Sequence, residues 1–465
     1  MLKVVLHREN VLIGAFALTL LLFLSAVLYK FSGLSTYIIP AIGLAALFIA
    51  VIIRNPVYFI YLYFLSFALF LENNPGLQFT DLLFFIFTAL FFGLYLLPTI
   101  ITGQAIIETS IDKWYILFVI FIIFGFFNGL LYSHSRFHTI SDMTYFIGVA
   151  LFFPFKKHFN SETFQKVIFS ILVLICFFVL IRNFLNYREI IISANVQWQI
   201  QKARVTTNEI ILLTGAILAL TGSAYTPKKI VKLLLFFIYA LFIAGLILTQ
   251  SRGYWVAFLI ILFVIFFTSE KKVRHTVFWG NLLLSIIGFL TIYYFFNNIF
   301  DIVMNALAAR WNTISSLASE SQMGASLLER VYEAETILHK LFLNPITGYG
   351  MGVEYHRYYI LTGDYIPMTY IHNGYLAIWF KTGIIGLISI IGFSIVVLHR
   401  LWMIYKRSEV KFLKMIALSS FGLLTGMLVV NVTSPQFFAF DSMTLIILIS
   451  VFASHYSRHL YPKPA

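Results

Sequence analysis

The sequence predicts an all-α, polytopic membrane protein with both chain termini in the cytoplasm. Three observations support this fold class: 60% of the 465 residues are hydrophobic, only 11% are charged, and apolar runs recur along the whole chain. A soluble protein of this length needs a polar shell, and soluble domains average about 25% charged residues. A disordered chain would be poor in aromatic residues, whereas here they make up 18%. Runs of about 20 apolar residues are long enough to cross a bilayer as helices.

Fourteen apolar runs are candidate spans, which predicts 12–14 transmembrane helices. The runs at 57–71 and 143–155 are short, so each is expected to be a full span, a re-entrant segment or an interfacial helix. The candidate spans are 11–29, 36–53, 57–71, 80–97, 114–132, 143–155, 166–186, 209–225, 230–249, 253–268, 276–297, 378–400, 412–431 and 437–456.

The distribution of Lys and Arg predicts the orientation. With the N-terminus placed inside, the connections on that side hold 20 of the 32 basic residues and six of the 19 acidic ones. That side then carries a net charge of +14, and the opposite side carries −1. Cytoplasmic loops are enriched in Lys and Arg, so the positive side is predicted to be cytoplasmic. Because the surplus is explained by topology, we expect no nucleic-acid partner.

The predicted organisation has four parts. Residues 1–200 are N-terminal transmembrane helices, 201–297 are transmembrane helices with arginine motifs, 298–371 form one large extracytoplasmic loop, and 372–465 are C-terminal transmembrane helices. Within the loop, apolar residues recur at helical spacing from Ala325 to Leu341, until Asn344-Pro345 interrupts the pattern. This spacing predicts a helix that lies on the membrane surface or caps a cavity.

The segment TQSRGYW at 249–255 joins two apolar runs through a very tight extracytoplasmic turn. Arg252 stands at the start of a span, and Gly253 permits either a sharp turn or a close approach to a ligand. In one interpretation, Arg252 extends to lipid phosphates at the interface. In the other, Arg252 is part of an anion site that faces a cavity, with Ser251 and Gly253 in supporting positions.

Two further arginines are predicted on the same side. Arg204 precedes an apolar run, and Asn208 or Thr207 is predicted to cap that helix, so that its free backbone amides suit a phosphate. An ordinary cap with a solvated Arg204 is the simpler alternative. Arg330 lies on the predicted loop helix, where it either contributes to the anion site or pairs with Glu333 three residues away.

His372 is the candidate general base. It lies at the end of the loop and the start of a span, followed by Asn373, and an imidazole titrates near neutral pH. A polar anchor at the membrane interface is the alternative role for a lone histidine. Glu354 and His356 are close in sequence, but no ligand spacing typical of a metal site is present. We therefore expect neither a metal nor another cofactor.

These stretches resemble the O-antigen ligase and O-antigen polymerase family of bacterial envelope glycosyltransferases, over about residues 200–390. The first 200 residues match only in being a set of spans. The motifs that carry the resemblance are Ser251-Arg252-Gly253, PITGYG at 345–350, HNGYL at 372–376 followed by Gly383 and Gly386, and, more loosely, the stretch from Arg204 to Asn208.

The resemblance implies about a dozen helices and metal-independent, inverting transfer of a glycan from undecaprenyl pyrophosphate to a hydroxyl group. It implies that Arg204 and Arg252, with Arg330 as a looser match, bind the pyrophosphate. It further implies that His372 removes the acceptor proton. Gly348, Gly350 and Asn373 then belong to supporting segments. The protein is accordingly expected among the lipids of the bacterial inner membrane, with its site facing the periplasm.

The acceptor distinguishes three functions that share this chemistry. An O-antigen ligase transfers the glycan to lipid A–core, a polymerase transfers it to another lipid-linked glycan, and a protein O-oligosaccharyltransferase transfers it to a protein hydroxyl. The resemblance favours the ligase. A polysaccharide transporter or flippase is the alternative from another class, since transporters place polar residues such as Asp441 within the membrane. The clustering of the candidate residues at one interface argues against transport.

Overall fold

A computed structural model describes residues 57–70, 107–133, 135–193, 208–295, 322–360 and 362–460. About 81% of the described residues are helical and 3% form strands. This confirms the predicted all-α fold of a polytopic membrane protein. The helices in chain order are α1 Val57–Phe70, α2 Ser110–Tyr132, α3 Arg136–Thr144, α4 Phe152–His158, α5 Glu162–Ser193, α6 Glu209–Tyr225, α7 Lys229–Leu248, α8 Arg252–Thr268, α9 Lys271–Phe295, α10 Gln322–Leu343, α11 Gly374–Arg407, α12 Lys411–Val430 and α13 Phe440–Leu460.

Five helices of the described chain are long and apolar enough to cross a membrane: α2, α7, α11, α12 and the Glu162–Glu189 part of α5. The shorter apolar helices are α6, α8 and the Phe440–Tyr456 part of α13. α6 lies at the centre of the bundle, because fifteen of its residues are buried. Its upper neighbours in the chain, described below, are therefore buried as well.

The outward faces of the bundle are apolar, as lipid contact requires. On α8, the side chains of Leu259, Phe263 and Phe267 are 62–63% exposed, whereas Ile261 and Ile265 are fully buried. Spacing of three to four residues places the exposed group on one face of the helix and the buried group on the other. Such large apolar side chains would be costly to expose to water, so this face meets lipid.

Successive membrane helices alternate in direction, which defines two ends of the bundle. The upper end holds the first residues of α6, α8, α11 and α13 and the last residues of α2, α5, α7, α9 and α12. Basic residues concentrate at the lower end, among them Lys271, Lys272, Arg274 and Arg407. The bias of Lys and Arg towards the cytoplasm predicts that the lower end is cytoplasmic. The extreme chain termini lie outside the described residues.

The short run predicted at 143–155 is an interrupted segment in the structure. α3, a 3-10 helix at Ile147–Leu151 and α4 follow one another, beside α2 and in the opposite direction. Two buried ion pairs hold its ends, because Asp142 bonds Lys381 and Lys156 bonds Asp112, each at 2.6 Å. The segment therefore passes along α2 without forming one continuous helix. The run predicted at 57–71 contains the 14-residue helix α1.

The described part of the loop predicted at 298–371 contains a helix and a hairpin. The predicted helix from Ala325 to Leu341 is confirmed, since α10 spans Gln322–Leu343. A turn then leads to two antiparallel strands, β1 Tyr355–Tyr359 and β2 Asp364–Met368. The hairpin was not predicted, because both strands are five residues long and lack regular alternation of apolar and polar residues.

Candidate active site

A turn after α12, residues 431–435, brings two of the predicted segments together at the upper end. Gly253 of α8 faces this turn, since a side-chain carbon at Gly253 would stand 2.8 Å from the Thr433 hydroxyl oxygen. Arg330 of α10 contacts the same residue, because its Nη1 donates a hydrogen bond to the Thr433 carbonyl at 3.2 Å. The starts of α8 and the middle of α10 thus lie on either side of Thr433.

Arg252 is the first residue of α8, and Ser251 is its N-cap, without a hydrogen bond from the Ser251 side chain to the helix. The sharp turn before α8 is made by Gln250, whose φ is 50°. A turn-forming role for Gly253 is therefore wrong, and the close backbone approach to Thr433 is its structural use. A guanidinium beside the free amides of a helix N-terminus concentrates positive potential, which favours a bound anion.

His372 is held by Glu333 of α10. The His372 Nδ1 lies 2.7 Å from Oε2 of Glu333, and the His372 backbone N–H donates to Oε1 at 2.7 Å. The Glu333 side chain is 2% exposed and that of His372 is 21% exposed. No hydrogen bond to His372 Nε2 is present within the described residues, so this nitrogen is the one available to a substrate.

Arg357 of β1 completes this cluster. Its Nη2 donates to Oε2 of Glu329 at 3.1 Å, and its Nε lies 3.9 Å from Oε2 of Glu333. The guanidinium also stacks over the Tyr359 ring, 4.9 Å from the ring centre. Burial opposes ionisation of Glu333, but the hydrogen bonds and charge of His372 and the charge of Arg357 outweigh it and lower the pKa of this carboxyl. Glu333 is therefore ionised at neutral pH.

Glu333 thus has partners other than Arg330, and the alternative in which these neighbours simply pair does not describe the Glu333 carboxylate. Arg330 and Glu333 are three residues apart on α10 and share a face. Because Arg330 contacts Thr433 while Glu333 contacts His372, α10 joins the Gly253 side of the upper end to the histidine.

Tyr370 lies beside His372 on the segment that leads into α11. The two rings are 5.1 Å apart and nearly perpendicular, with an interplanar angle of 88°. The Tyr370 ring is 42% exposed, and its carbonyl accepts a hydrogen bond from the buried Tyr355 hydroxyl at 2.8 Å. Burial and the charge of Glu333 raise the pKa of Tyr355, so that hydroxyl remains a neutral donor. An exposed aromatic ring therefore borders the open side of the imidazole.

Asn373 positions the start of α11 immediately after His372. Its side-chain oxygen accepts hydrogen bonds from the backbone N–H groups of Tyr375 and Leu376, at 3.0 and 3.1 Å, as an N-cap does. The next residue, Gly374, donates its backbone N–H to the Asn431 carbonyl at 2.8 Å. These contacts tie the histidine to the turn that contains Thr433.

Gly348 and Gly350 have a structural role in the folded chain. Both have positive φ, 63° and 99°, and both pass close to other backbone segments. A side chain on Gly348 would stand 2.5 Å from the Phe380 carbonyl, and one on Gly350 would overlap the backbone of Gly129. Only glycine fits these positions. The turn is therefore packed between α2 and α11, and it carries the chain from α10 to the hairpin with Arg357.

Arg204 lies outside the described residues, and the helix it precedes differs from the prediction. Asn208 occupies the N-cap position of α6, but it has φ 53° and makes no capping hydrogen bond with its side chain. Its side chain instead bridges Arg182 and Asp441, at 2.5 and 2.9 Å. Glu209 is buried in the first turn, where its charge already complements the positive end of the helix. Phosphate binding by this N-terminus is therefore not supported.

No group of three or more His, Cys, Asp or Glu side chains that suits a metal ion occurs among the described residues. Glu354, one of the two acidic and imidazole groups noted in the sequence, pairs with His138 at 3.0 Å. The arrangement at the upper end is accordingly one of guanidinium groups and a carboxylate-bound imidazole. It can bind an anion and accept a proton.

The sequence analysis did not identify Glu329, Glu333 and Arg357 as one group. A signal for the two carboxylates exists on α10, where Glu329, Glu333, Ile337 and Leu341 recur every four residues and are all buried. The apolar face of this helix thus continues into two carboxylates, which requires a buried partner. Arg357 has no such signal, because its burial results from the pairing of the hairpin with α10.

Comparison with known proteins identifies part of the chain. A model of the family described as O-antigen ligase matches residues 235–391. The matched stretch includes Arg252, Arg330 and His372, and Arg204 precedes it. The comparison with curated proteins gives no match. The family consists of membrane enzymes, and it supports a multi-pass protein of the glycosyltransferase type that acts on lipid-linked glycans. Residues 235–391 of this chain therefore form a domain of the O-antigen ligase family.

Proposed function

We propose that this protein is a metal-independent, inverting glycosyltransferase that moves a glycan from undecaprenyl pyrophosphate to an acceptor hydroxyl. The observation that carries the proposal is the arrangement of α8, α10 and α11 around the Thr433 turn. This turn lies against Gly253, next to Arg252, and it accepts a hydrogen bond from Arg330. The turn also accepts the backbone N–H that follows Asn373. A cationic region and an imidazole thus share one end of the bundle.

The donor's pyrophosphate binds at this end, with its lipid tail in the bilayer beside the helices. Guanidinium groups suit phosphate oxygens because they donate two parallel hydrogen bonds and remain charged. As the sugar–phosphate bond breaks, negative charge grows on the leaving pyrophosphate. The charges of Arg252, Arg330 and, by family resemblance, Arg204 then stabilise the transition state more than the bound donor.

His372 accepts the proton of the acceptor hydroxyl at Nε2. The acceptor oxygen forms a bond to the anomeric carbon while the bond from that carbon to the pyrophosphate oxygen breaks on the opposite side. A single displacement inverts the configuration at this carbon, and no covalent sugar–enzyme intermediate forms. α10 covers this side of the imidazole, where it limits access of water to the donor.

The acceptor proposed first is lipid A–core, because the matching family is described as O-antigen ligase. A polymerase, with a lipid-linked glycan as acceptor, and a protein O-oligosaccharyltransferase follow from the same mechanism. We place the protein in the inner membrane with its upper end facing the periplasm, since the basic residues concentrate at the lower end. The transporter alternative is less well supported, because Asp441 is bound to Asn208 at the upper end of α6.

The test is glycan transfer by purified protein, with a defined undecaprenyl-pyrophosphate donor and lipid A–core competing with a lipid-linked glycan as acceptors. Arg252→Ala and His372→Ala should each abolish transfer without loss of folded protein. The matched controls are Arg274→Ala and His275→Ala, both exposed at the lower end, which should retain activity. Full activity of Arg252→Ala would contradict the pyrophosphate role, and inhibition by chelators would contradict metal independence.

A further inference from the structure

Glu333 holds His372 at two points, and this geometry determines which imidazole nitrogen carries the proton. One carboxylate oxygen accepts the His372 backbone N–H and the other lies 2.7 Å from Nδ1. An ionised carboxylate only accepts hydrogen bonds. At this distance an unprotonated Nδ1 would place two lone pairs against each other. Nδ1 therefore carries a hydrogen.

Arg357 is the competing partner of the same nitrogen, since its Nη1 lies 3.5 Å from Nδ1. If Arg357 donated to Nδ1, the tautomer would be reversed and Nε2 would carry the proton. The contact with Glu333 is 0.8 Å shorter, and hydrogen bonds weaken steeply towards 3.5 Å. The carboxylate therefore decides the tautomer, and Nε2 keeps a free lone pair on the open side of the ring.

The charges of the cluster also favour the protonated ring that forms during the reaction. Glu329 and Glu333 contribute two negative charges and Arg357 contributes one positive charge. With a neutral imidazole the cluster has a net charge of −1, and an imidazolium brings it to zero. Glu333 is almost fully buried, so this charge balance acts with little solvent screening.

We propose that Glu333 is a positioning residue for His372, held in place by the Arg357–Glu329 pair. It fixes the tautomer with hydrogen on Nδ1, so that Nε2 takes the proton as the O–H bond of the acceptor breaks. The electron pair of that bond forms the new bond to the anomeric carbon, and the pyrophosphate leaves with the pair of the broken C–O bond. This inference rests on the proposed function, in which His372 is the general base.

Glu333→Gln is the informative substitution, because it keeps the shape and removes one acceptor. The amide has a single oxygen, whereas the position faces two N–H groups of His372. The backbone N–H cannot lose its hydrogen, so the amide oxygen must face it. The amide NH₂ then points at Nδ1, which has to become an acceptor, and the ring hydrogen moves to Nε2. A base with the wrong tautomer loses roughly 10²–10⁴-fold in kcat, by analogy with the Asp–His pair of serine proteases.

The experiment combines kinetics with a spectroscopic readout of the ring. Purified Glu333→Gln protein should lose kcat by about 10²–10⁴-fold with little change in KM for donor and acceptor. Glu335→Gln on the exposed face of α10 is the matched control and should keep its activity. In protein labelled with ¹⁵N-histidine, the signal missing from His372→Gln identifies residue 372. That signal should report hydrogen on Nδ1 in the unmodified protein and on Nε2 in Glu333→Gln.

The outcomes separate this inference from the proposed function. Hydrogen on Nε2 in the unmodified protein would overturn the positioning role, even if Glu333→Gln fails to fold. Normal kcat in folded Glu333→Gln would also overturn it, while leaving His372 as the base. Full activity of His372→Gln would instead refute the base assignment in the proposed function, and the ring spectrum would still test the effect of Glu333 on the tautomer.

Discussion

The buried ion pair between Asp142 and Lys381 should be among the most sensitive points of the upper bundle. Asp142 Oδ2 lies 2.6 Å from the Lys381 ammonium and also accepts the Gly352 backbone N–H at 2.6 Å. The ammonium lies 4.6 Å from the centre of the Phe438 ring. The pair thus joins the interrupted segment α3–α4 to α11 and to the turn that leads into the hairpin.

The expected magnitude follows from this geometry and burial. Unit charges 2.6 Å apart attract by about 6 kcal/mol at an effective dielectric constant near 20, and much of this offsets the dehydration of both ions. Removing one partner leaves the other buried and uncompensated, since Lys381 is 2% exposed and Asp142 6%. Asp142→Asn and Lys381→Met should each lower the free energy of unfolding by about 3–5 kcal/mol. The double variant should lose far less than the sum.

The assay is reversible unfolding of the purified protein in mixed micelles, followed by circular dichroism, for both single variants and the double variant. The exposed pair of Glu162 and Lys166 on α5, with side chains 80% and 72% exposed, provides the control. Glu162→Gln should leave the free energy of unfolding nearly unchanged. A single substitution at the buried pair that costs under about 1 kcal/mol, or strict additivity in the double variant, would refute the reasoning.

Two further predictions concern the loop. Gly350→Ala should destabilise the fold by at least about 3 kcal/mol, since it adds a backbone overlap to positive-φ strain. Gly363→Ala, whose φ is also positive but whose surroundings are open, should show only the strain, and equal unfolding midpoints for the two would contradict this. Because the pKa of Glu333 is lowered from about 4.5, its contribution to stability is complete above that pH and is lost as the pH falls through the lowered value. Unmodified protein should therefore lose stability below pH 4.5 more steeply than Glu333→Gln in acid titrations of unfolding, and parallel curves would count against it.

The sequence predicted elements whose signal is local and repeated. The helix α10 was predicted because its apolar residues recur at helical spacing and Asn344-Pro345 interrupts them. The run at 143–155 was recognised as doubtful, but its division into α3, a 3-10 helix and α4 was not predicted. Pro154 lies within α4, and Gly148 packs against Thr444 of α13. That contact joins residues almost 300 positions apart, so no local pattern indicates it.

The candidate site was predicted only in part. The resemblance singled out Arg252, Arg330 and His372, and the structure places all three at the upper end. It reassigns Gly253, Gly348 and Gly350 to close backbone packing, which the glycine motifs alone do not distinguish from ligand contact. The partner of the histidine was missed, since Glu333 is 39 residues from His372 along the chain.

Composition and charge, which are sums over the chain, determined that this is a helical membrane protein and predicted on which side its arginines and histidine lie. Those properties survive any rearrangement of the helices, so the sequence alone suffices for them. Only the tertiary structure decided that Glu333 binds the imidazole, that Arg357 is buried beside it, and that Thr433 separates α8 from α10. Each of these contacts depends on how distant segments pack, and a buried charge acquires its partner only when the surrounding helices close around it.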